Sequence, residues 1–386
     1  MIWPAIRAAL LLLALAPFAY YVAALVAARK FFGSRTDPSS DFTPPVSILK
    51  PIFGLDREAY ENFASFCRQD YPGFEVLFCV GDREDPAVPV IEKIIADFPT
   101  RPIRLLVGAE PLGASDKMNK LCRMAREARH GILIVSDSDV RVGPGFLGAV
   151  VAPFRDPKVG GVTCLYRGLT DDSRAADLEA IGNSTDFAAG VLVARMLGGM
   201  KFMLGAIMAT TKERLAEIGG FEAIADYIAD DYELGNRIAA RGSRIELSTF
   251  PVSIVYPHET MADAFRHQRR WNQTIRISRP GGHFGMIFTH GIAWAALGVC
   301  LAPTAITAFL YAAGYILLSS EVLRTVGVWG MRDASLWRKQ YLLPLRDAFA
   351  FAVWVASFFP QRIYWRGREF HVRERKLVAV GGERKV

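Results

Sequence analysis

The run Gly131-Ile132-Leu133-Ile134-Val135-Ser136-Asp137-Ser138-Asp139-Val140 constrains this chain more than any other stretch. Four consecutive apolar residues form a strand that must be buried on both faces. The run then stops at Asp137 and Asp139, spaced one residue apart. In an open α/β sheet, ligands sit beyond the carboxyl ends of the strands, which is where this spacing delivers both carboxylates. Two close carboxylates repel unless a proton or a cation lies between them. A hard divalent ion that also contacts phosphate oxygens resolves that conflict. Asp137 and Asp139 are therefore candidate metal ligands for Mg2+ or Mn2+. An Asp-rich turn, with no ligand at all, is the simpler alternative.

The strands around it alternate with helical patterns. Val46–Leu49, Phe74–Val80, Ile103–Val107 and Gly160–Tyr166 read as strands. Arg57–Cys67, Val88–Phe98 and residues 115–129 read as helices. This order predicts an α/β domain with a mostly parallel sheet. Lys50, at the end of the first strand, faces whatever binds at the sheet edge. Asp82 and Asp85 follow the second strand in Gly81-Asp82-Arg83-Glu84-Asp85-Pro86. Asp230 and Asp231 precede a helical stretch, Glu233–Ala240, so that one caps the helix while the other faces the cavity as a general base. An ordinary N-cap remains the alternative. Gly205 sits in the apolar stretch Phe202–Ala209, where backbone can approach a sugar closely.

Hydrophobic residues make up 51% of the 386 and concentrate at the two ends, which argues for a membrane protein with a polar middle. Residues 6–28 are long enough to span a bilayer, and Arg29-Lys30 follow directly. That basic pair argues against a cleaved signal peptide and places the next domain in the cytoplasm. Residues 176–200 carry few charges and read as a helix that is buried or lies at the membrane interface. Phe284–Leu301, Thr304–Leu318 and Leu342–Phe359 are further apolar segments, the last interrupted by Arg346-Asp347. If all three span, the basic tail with Arg362, Arg366, Arg368, Arg373, Arg375 and Lys376 ends outside, against the charge rule, so one is expected to be re-entrant or interfacial.

The expected layout is an anchor over 1–30, a linker over 31–43 and a cytoplasmic catalytic domain over 44–260. An interfacial segment over 261–283, membrane segments over 284–360 and a basic tail over 361–386 follow. A multi-pass protein of the cell inner membrane results.

Several classes are excluded. Five cysteines without paired spacing give neither a disulfide framework nor a zinc site. No G-x-G-x-x-G follows the first strand, and no P-loop occurs. His258-Glu259 lacks the second histidine of a zinc protease, since position 262 is Ala. The formal charge of +7 clusters beside apolar segments, so anionic lipid headgroups rather than nucleic acid are the expected partner. No obligate protein partner is evident. Arg266-His267-Gln268-Arg269-Arg270-Trp271 offers fork-shaped donors for a diphosphate, or a juxtamembrane basic patch for lipid phosphates.

These motifs together resemble the ceramide glucosyltransferase family, processive-type GT-A glycosyltransferases with membrane segments at both ends. That family's pattern is D, D, D, (Q/R)-x-x-R-W. The three aspartates match Asp85, Asp137 and Asp231, and the last motif matches His267-Gln268-Arg269-Arg270-Trp271, with His267 at the Gln/Arg position. Lys50-Pro51 and Lys117 also match. The resemblance implies a GT-A-type nucleotide-sugar-binding domain flanked by transmembrane helices, a UDP-sugar donor, a lipid acceptor and inversion at the anomeric carbon. It implies Asp231 as catalytic base and Arg270 and Trp271 as catalytic partners. Lys50, Asp82, Asp85, Lys117, Asp137, Asp230, His267 and Gln268 are the implied substrate-binding residues. The expected reaction moves a hexose, glucose foremost, onto ceramide. A related bacterial branch, resembling enzymes that move N-acetylglucosamine onto a bacteriohopane polyol, fits the same stretches. A channel or transporter with a regulatory nucleotide domain, or a non-enzymatic lipid-binding scaffold, is the expectation from a different class.

Overall fold

The computed structural model describes residues 2–35, 41–170, 173–256, 260–359, 363–365 and 368–379. Two compact units emerge. One gathers Met1–Arg35, Arg167–Gly199 and His258–Pro360; the other gathers Thr36–Tyr166, Met200–Pro257 and Gln361–Val386. His258-Glu259, residues 36–40 of the expected linker, and Arg362 and Arg366 of the basic tail lie outside the described residues.

The second unit is built on an eight-stranded sheet. Its strands are β1 (Val46–Pro51), β2 (Phe74–Val80), β3 (Ile103–Val107), β4 (Ile132–Ser136), β5 (Val140–Arg141), β6 (Val159–Leu169), β7 (Ile207–Thr211) and β8 (Arg244–Val255). Their order is β3-β2-β1-β4-β7-β6-β8-β5. The half β3-β2-β1-β4 is parallel. On the other side β7 runs antiparallel to β4 and β6, and β5 antiparallel to β8. Every residue of β1, β2 and β4 is buried, which explains apolar runs without alternation. Within the apolar stretch Phe202–Ala209 the strand β7 begins at Ile207, after a bridge between Leu204 and Ile207 that turns the chain into it.

β1 is flanked by β2 on one side and β4 on the other. Their carboxyl ends therefore mark the point where the sheet winds in opposite directions, the usual ligand crevice of such sheets. The helix Asp116–Glu127 starts there, with the Ser115 side chain accepting from Met118 N at 3.4 Å. A small sheet, β9 (Ile363–Trp365), β10 (Arg368–Arg373) and β11 (Lys376–Ala379), belongs to the same unit. Next to it the chain pairs with the segment before Asp230: Leu377 N donates to Asp226 O at 2.7 Å, and Ile228 N to Arg375 O at 3.2 Å.

The first unit is helical. Trp3–Gly33 and Ala305–Gly330, of 31 and 26 residues, are long and apolar enough to cross a membrane. Pro280–Thr289 and Gly291–Leu301 form a third candidate, bent by 58°. Leu343–Ala356 is a helix of 14 residues, well short of the roughly 20 that a bilayer core requires. It and the bent pair are thus the two candidates for the segment expected to be re-entrant or interfacial. The stretch near 176–200 forms Arg174–Gly182, a π-helical turn Asn183–Ala188, and Ala189–Gly198. It belongs with these helices, so the continuous 44–260 domain read from the sequence is interrupted over Arg167–Gly199.

Candidate functional site

The link Asp137–Asp139 is held at both ends. β4 is paired on each side, and β5 pairs with β8 immediately after the link. Val255 N donates to Asp139 O at 3.0 Å. The short connection fixes the backbone that carries the two carboxylates.

Lys117, in the first turn of its helix, reaches both acidic stretches. Its Nζ lies 2.8 Å from Asp137 Oδ1 and 3.2 Å from Asp230 Oδ2. Burial pulls its pKa down, but the charges of Asp137 and Asp230 outweigh burial and hold it above the ordinary lysine range. Asp230 and Asp231 both occupy the first turn of the helix Asp230–Ala240, three residues earlier than the expected start at Glu233. Asp231 Oδ1 accepts from Tyr232 N at 2.7 Å. Its other oxygen and Asp137 Oδ2 flank Gly205, lying 3.4 and 3.8 Å from where a β-carbon would stand. Glycine thus keeps open the space between these two carboxylates. Burial, reinforced by the Asp230 charge and opposed by Lys117, pushes the Asp231 carboxyl up to about 7. A carboxyl in that range can exchange a proton near neutral pH.

Lys50 is wholly buried. Its Nζ donates to Asp137 O at 2.7 Å and Ser136 Oγ at 3.1 Å, and sits 4.0 Å from the Phe66 ring centre. It acts on the site through the backbone of Asp137 and presents no surface to a substrate. Burial lowers its pKa to about 7 against the opposing charges of Asp139 and Asp137. Asp139 is raised by burial first, then by Asp137 and Asp56. Asp56, just past β1, was not singled out from the sequence; the acid-after-strand pattern that marked Asp85 and Asp137 also applies to it.

Asp85 spends both oxygens on backbone: Oδ2 accepts from Gly54 N at 3.0 Å and Oδ1 from Ala87 N at 2.9 Å. It clamps the loop after β1 to the loop after β2. Asp82 is exposed and accepts from Glu84 N at 2.9 Å.

Among the described residues, no three His, Cys, Asp or Glu side chains gather as a ready metal cage. Asp139 Oδ1 is nevertheless buried without a hydrogen-bond partner. One orphaned carboxylate oxygen beside a second carboxylate fits a hard cation that completes its shell with diphosphate oxygens.

The helix Met261–Ser278 carries the remaining motif in the helical unit, opened by a capping box between Thr260 and Asp263. His267 Nδ1 lies 3.3 Å from Glu179 Oε1, and Gln268 Nε2 donates to the same oxygen at 3.0 Å. Both side chains are thereby tied to a buried carboxylate that the sequence reading overlooked, since it lies in a stretch judged by its lack of charge. The Trp271 ring packs edge-on against His267, centroids 4.6 Å apart. Arg270 and Trp271 are half-buried.

The sequence pattern of Glycosyl transferase family 21 matches residues 9–378. Ceramide glucosyltransferase 1 of Caenorhabditis elegans is 30% identical over 305 residues, covering 76% of this chain and 61% of that protein. Ceramide glucosyltransferase 3 of the same organism is 26% identical over 357 residues, covering 85% and 73%. This chain thus spans about three fifths of the length of the first relative. Among solved structures, the mannosyltransferase PcManGT from Pyrobaculum calidifontis, in complex with GDP-Man and Mn2+, superposes with a TM-score of 0.59. It is 17% identical and covers 92% of this chain and 99% of its own. At that identity the likeness establishes the architecture, a GT-A-type fold.

Proposed function

We propose that this chain, which belongs to glycosyl transferase family 21, moves a hexose from a UDP-sugar to the hydroxyl of a membrane lipid. Glucose and ceramide are the preferred pair. The observation that carries this reading is Asp231, a carboxyl raised to about 7, across Gly205 from an aspartate bridged by Lys117 at the sheet's ligand crevice.

In this reading Asp231 takes the proton of the acceptor hydroxyl as its oxygen bonds to the anomeric carbon. The bond from that carbon to the diphosphate oxygen breaks, and UDP leaves with the electron pair. One displacement inverts the anomeric centre. Lys117 holds Asp137 and Asp230 in register and supplies positive charge beside the diphosphate. A divalent cation bound by Asp137 and Asp139 would neutralise the charge that develops on the leaving UDP. For Arg270 we retain the role implied by the family motif, stabilisation of departing UDP. The proposed setting is the inner membrane with the sheet unit in the cytoplasm, supported by Arg29-Lys30 after the first apolar helix.

The test is transfer in detergent or nanodiscs with Mg2+ or Mn2+. Ceramide and bacteriohopanetetrol are each offered UDP-glucose, UDP-galactose and UDP-N-acetylglucosamine. Glucosylceramide is the expected product. Selective transfer of N-acetylglucosamine to the hopanoid would replace the acceptor and donor assignments, and no turnover with any pairing would defeat the reading.

A further inference from the structure

We infer that the helical unit holds a polar cleft that receives a hydroxyl of the acceptor lipid, built around Arg346 and wired to the His267-Gln268 turn. This rests on the reading above that the acceptor is a bilayer lipid.

Charged side chains inside apolar helices are costly and mark function by default. Arg346 and Asp347 lie on Leu343–Ala356 and are both buried. Their surroundings form a partly open cavity of about 20 Å3, room for one water-sized group. Thr185, Asp186, Tyr315, Ser319, Arg346 and Asp347 contribute polar groups to its wall. Asp186 keeps 37% of its side chain exposed and marks the open side.

The guanidinium is placed with care. Nε donates to Asp186 Oδ2 at 2.8 Å, and Nη2 donates to Gln268 Oε1 at 3.2 Å. Gly182 makes room for it: a β-carbon there would stand 2.2 Å from the guanidinium carbon. Nη1 remains buried with no partner, and so does Glu179 Oε2 at the far end of the same network. Leaving a buried charged donor unpaired is expensive, so the site is complete only with another acceptor in it. A hydroxyl offers a donor and two lone pairs and matches a wall that holds a guanidinium, carboxylates and hydroxyls.

The local backbone is irregular at the same place. Asp186 and Thr185 sit in the π-helical turn Asn183–Ala188, and a second, Leu323–Gly330, follows the helix that carries Tyr315 and Ser319. Such turns concentrate at functional sites. That same helix presents Ile306, Phe309, Leu310 and Leu317 outward, 61–73% exposed, as a lipid-facing surface. A molecule reaching the cleft along that surface must be amphipathic. The ligand class is therefore a lipid with an apolar body and a hydroxyl at its polar end, which both a ceramide and a hopanoid polyol satisfy.

The experiment uses the full chain in phosphatidylethanolamine/phosphatidylglycerol nanodiscs. Diazirine-bearing ceramide and diazirine-bearing bacteriohopanetetrol are photo-crosslinked in separate arms, and the adducts are mapped. We expect adducts from at least one probe on peptides containing 183–188, 315–322 or 343–347, displaced by the same unlabelled lipid. Ser319→Val, which fills the cleft with methyl groups, should lower that yield and raise the lipid KM roughly tenfold, while the UDP-sugar KM stays within about twofold. Thr185→Val, which takes a hydroxyl out of the wall at nearly unchanged volume, should also raise the lipid KM and serves if Ser319→Val does not fold. Displaceable adducts only elsewhere, or a lipid KM unmoved by either variant, would assign the cleft to a structural water and overturn the proposal. Specific adducts in the cleft without sugar transfer by the wild type would defeat the functional reading and leave the lipid site standing.

Discussion

Burial raises the Asp231 carboxyl, while Asp137 and Asp230 keep neighbouring Lys117 protonated. A base must be ionised to act. Below its raised pKa Asp231 is protonated and idle, so activity at saturating metal should climb about tenfold per pH unit and level off above about 7. Lys117 opposes the upward shift. Lys117→Met should therefore move that limb to higher pH, and a limb moving down would contradict the assignment. Asp231→Asn should keep UDP-sugar binding, measured by calorimetry, and lower kcat by about 10²-fold or more. Lys50→Met removes the buried ammonium that bonds Asp137 O and Ser136 Oγ, and should cost about 1–3 kcal/mol in denaturant unfolding. Asp137, Asp139 and Asp231 were legible because a buried apolar run or a helix start fixes where the acids go. The bridging by Lys117 was not, since it joins segments far apart in the chain. Nor could a strand-end acid tell its own use: Asp85 and Asp137 look alike in sequence, yet Asp85 spends both oxygens on backbone N–H groups.

At the scale of elements, the helix Asp230–Ala240 depends on one glycine. A β-carbon on Gly235 would stand 2.4 Å from Met203 N and 2.5 Å from the carbonyl carbon of Phe202. The helix thus lies directly against the backbone that leads to Gly205. Gly235→Ala should push it away, lower stability by about 1–3 kcal/mol and depress kcat through Asp231, even though it touches no substrate. Thermal unfolding and steady-state rates measured together check this; a variant with full activity would show that the packing does not set the base. The parallel half of the sheet was readable because β1, β2 and β4 are buried throughout, so their period disappears into apolar runs. Over Leu342–Phe359 the interruption by Arg346-Asp347 was legible, but not that the α-helix there runs for 14 residues with both charged side chains buried. The low charge of residues 176–200 was right for a helix packed among apolar helices, but gave no hint of the π-helical turn that places Asp186.

For the molecule as a whole, the pairing of the chain's last strands yields a prediction about its path across the membrane. Leu377 and Arg375 pair with Asp226 and Ile228, in the unit that carries Asp231. That pairing predicts that this end and the sheet share one side of the bilayer, with an even number of crossings between them. Under that prediction the basic tail lies on the side of the sheet, as the charge rule asks. Val378→Cys and Glu92→Cys, both at exposed positions, should label with an impermeant maleimide from the same side of oriented vesicles; labelling from opposite sides would refute the pairing. The proposed mechanism is single displacement by Asp231 at the crevice between β1 and β4. It is tested most directly by the anomeric configuration of the lipid product made from an α-linked UDP-sugar, read from the proton coupling at the anomeric carbon by NMR. A β-glycoside, lost with Asp231→Asn, is the predicted result. An α-glycoside would contradict the mechanism.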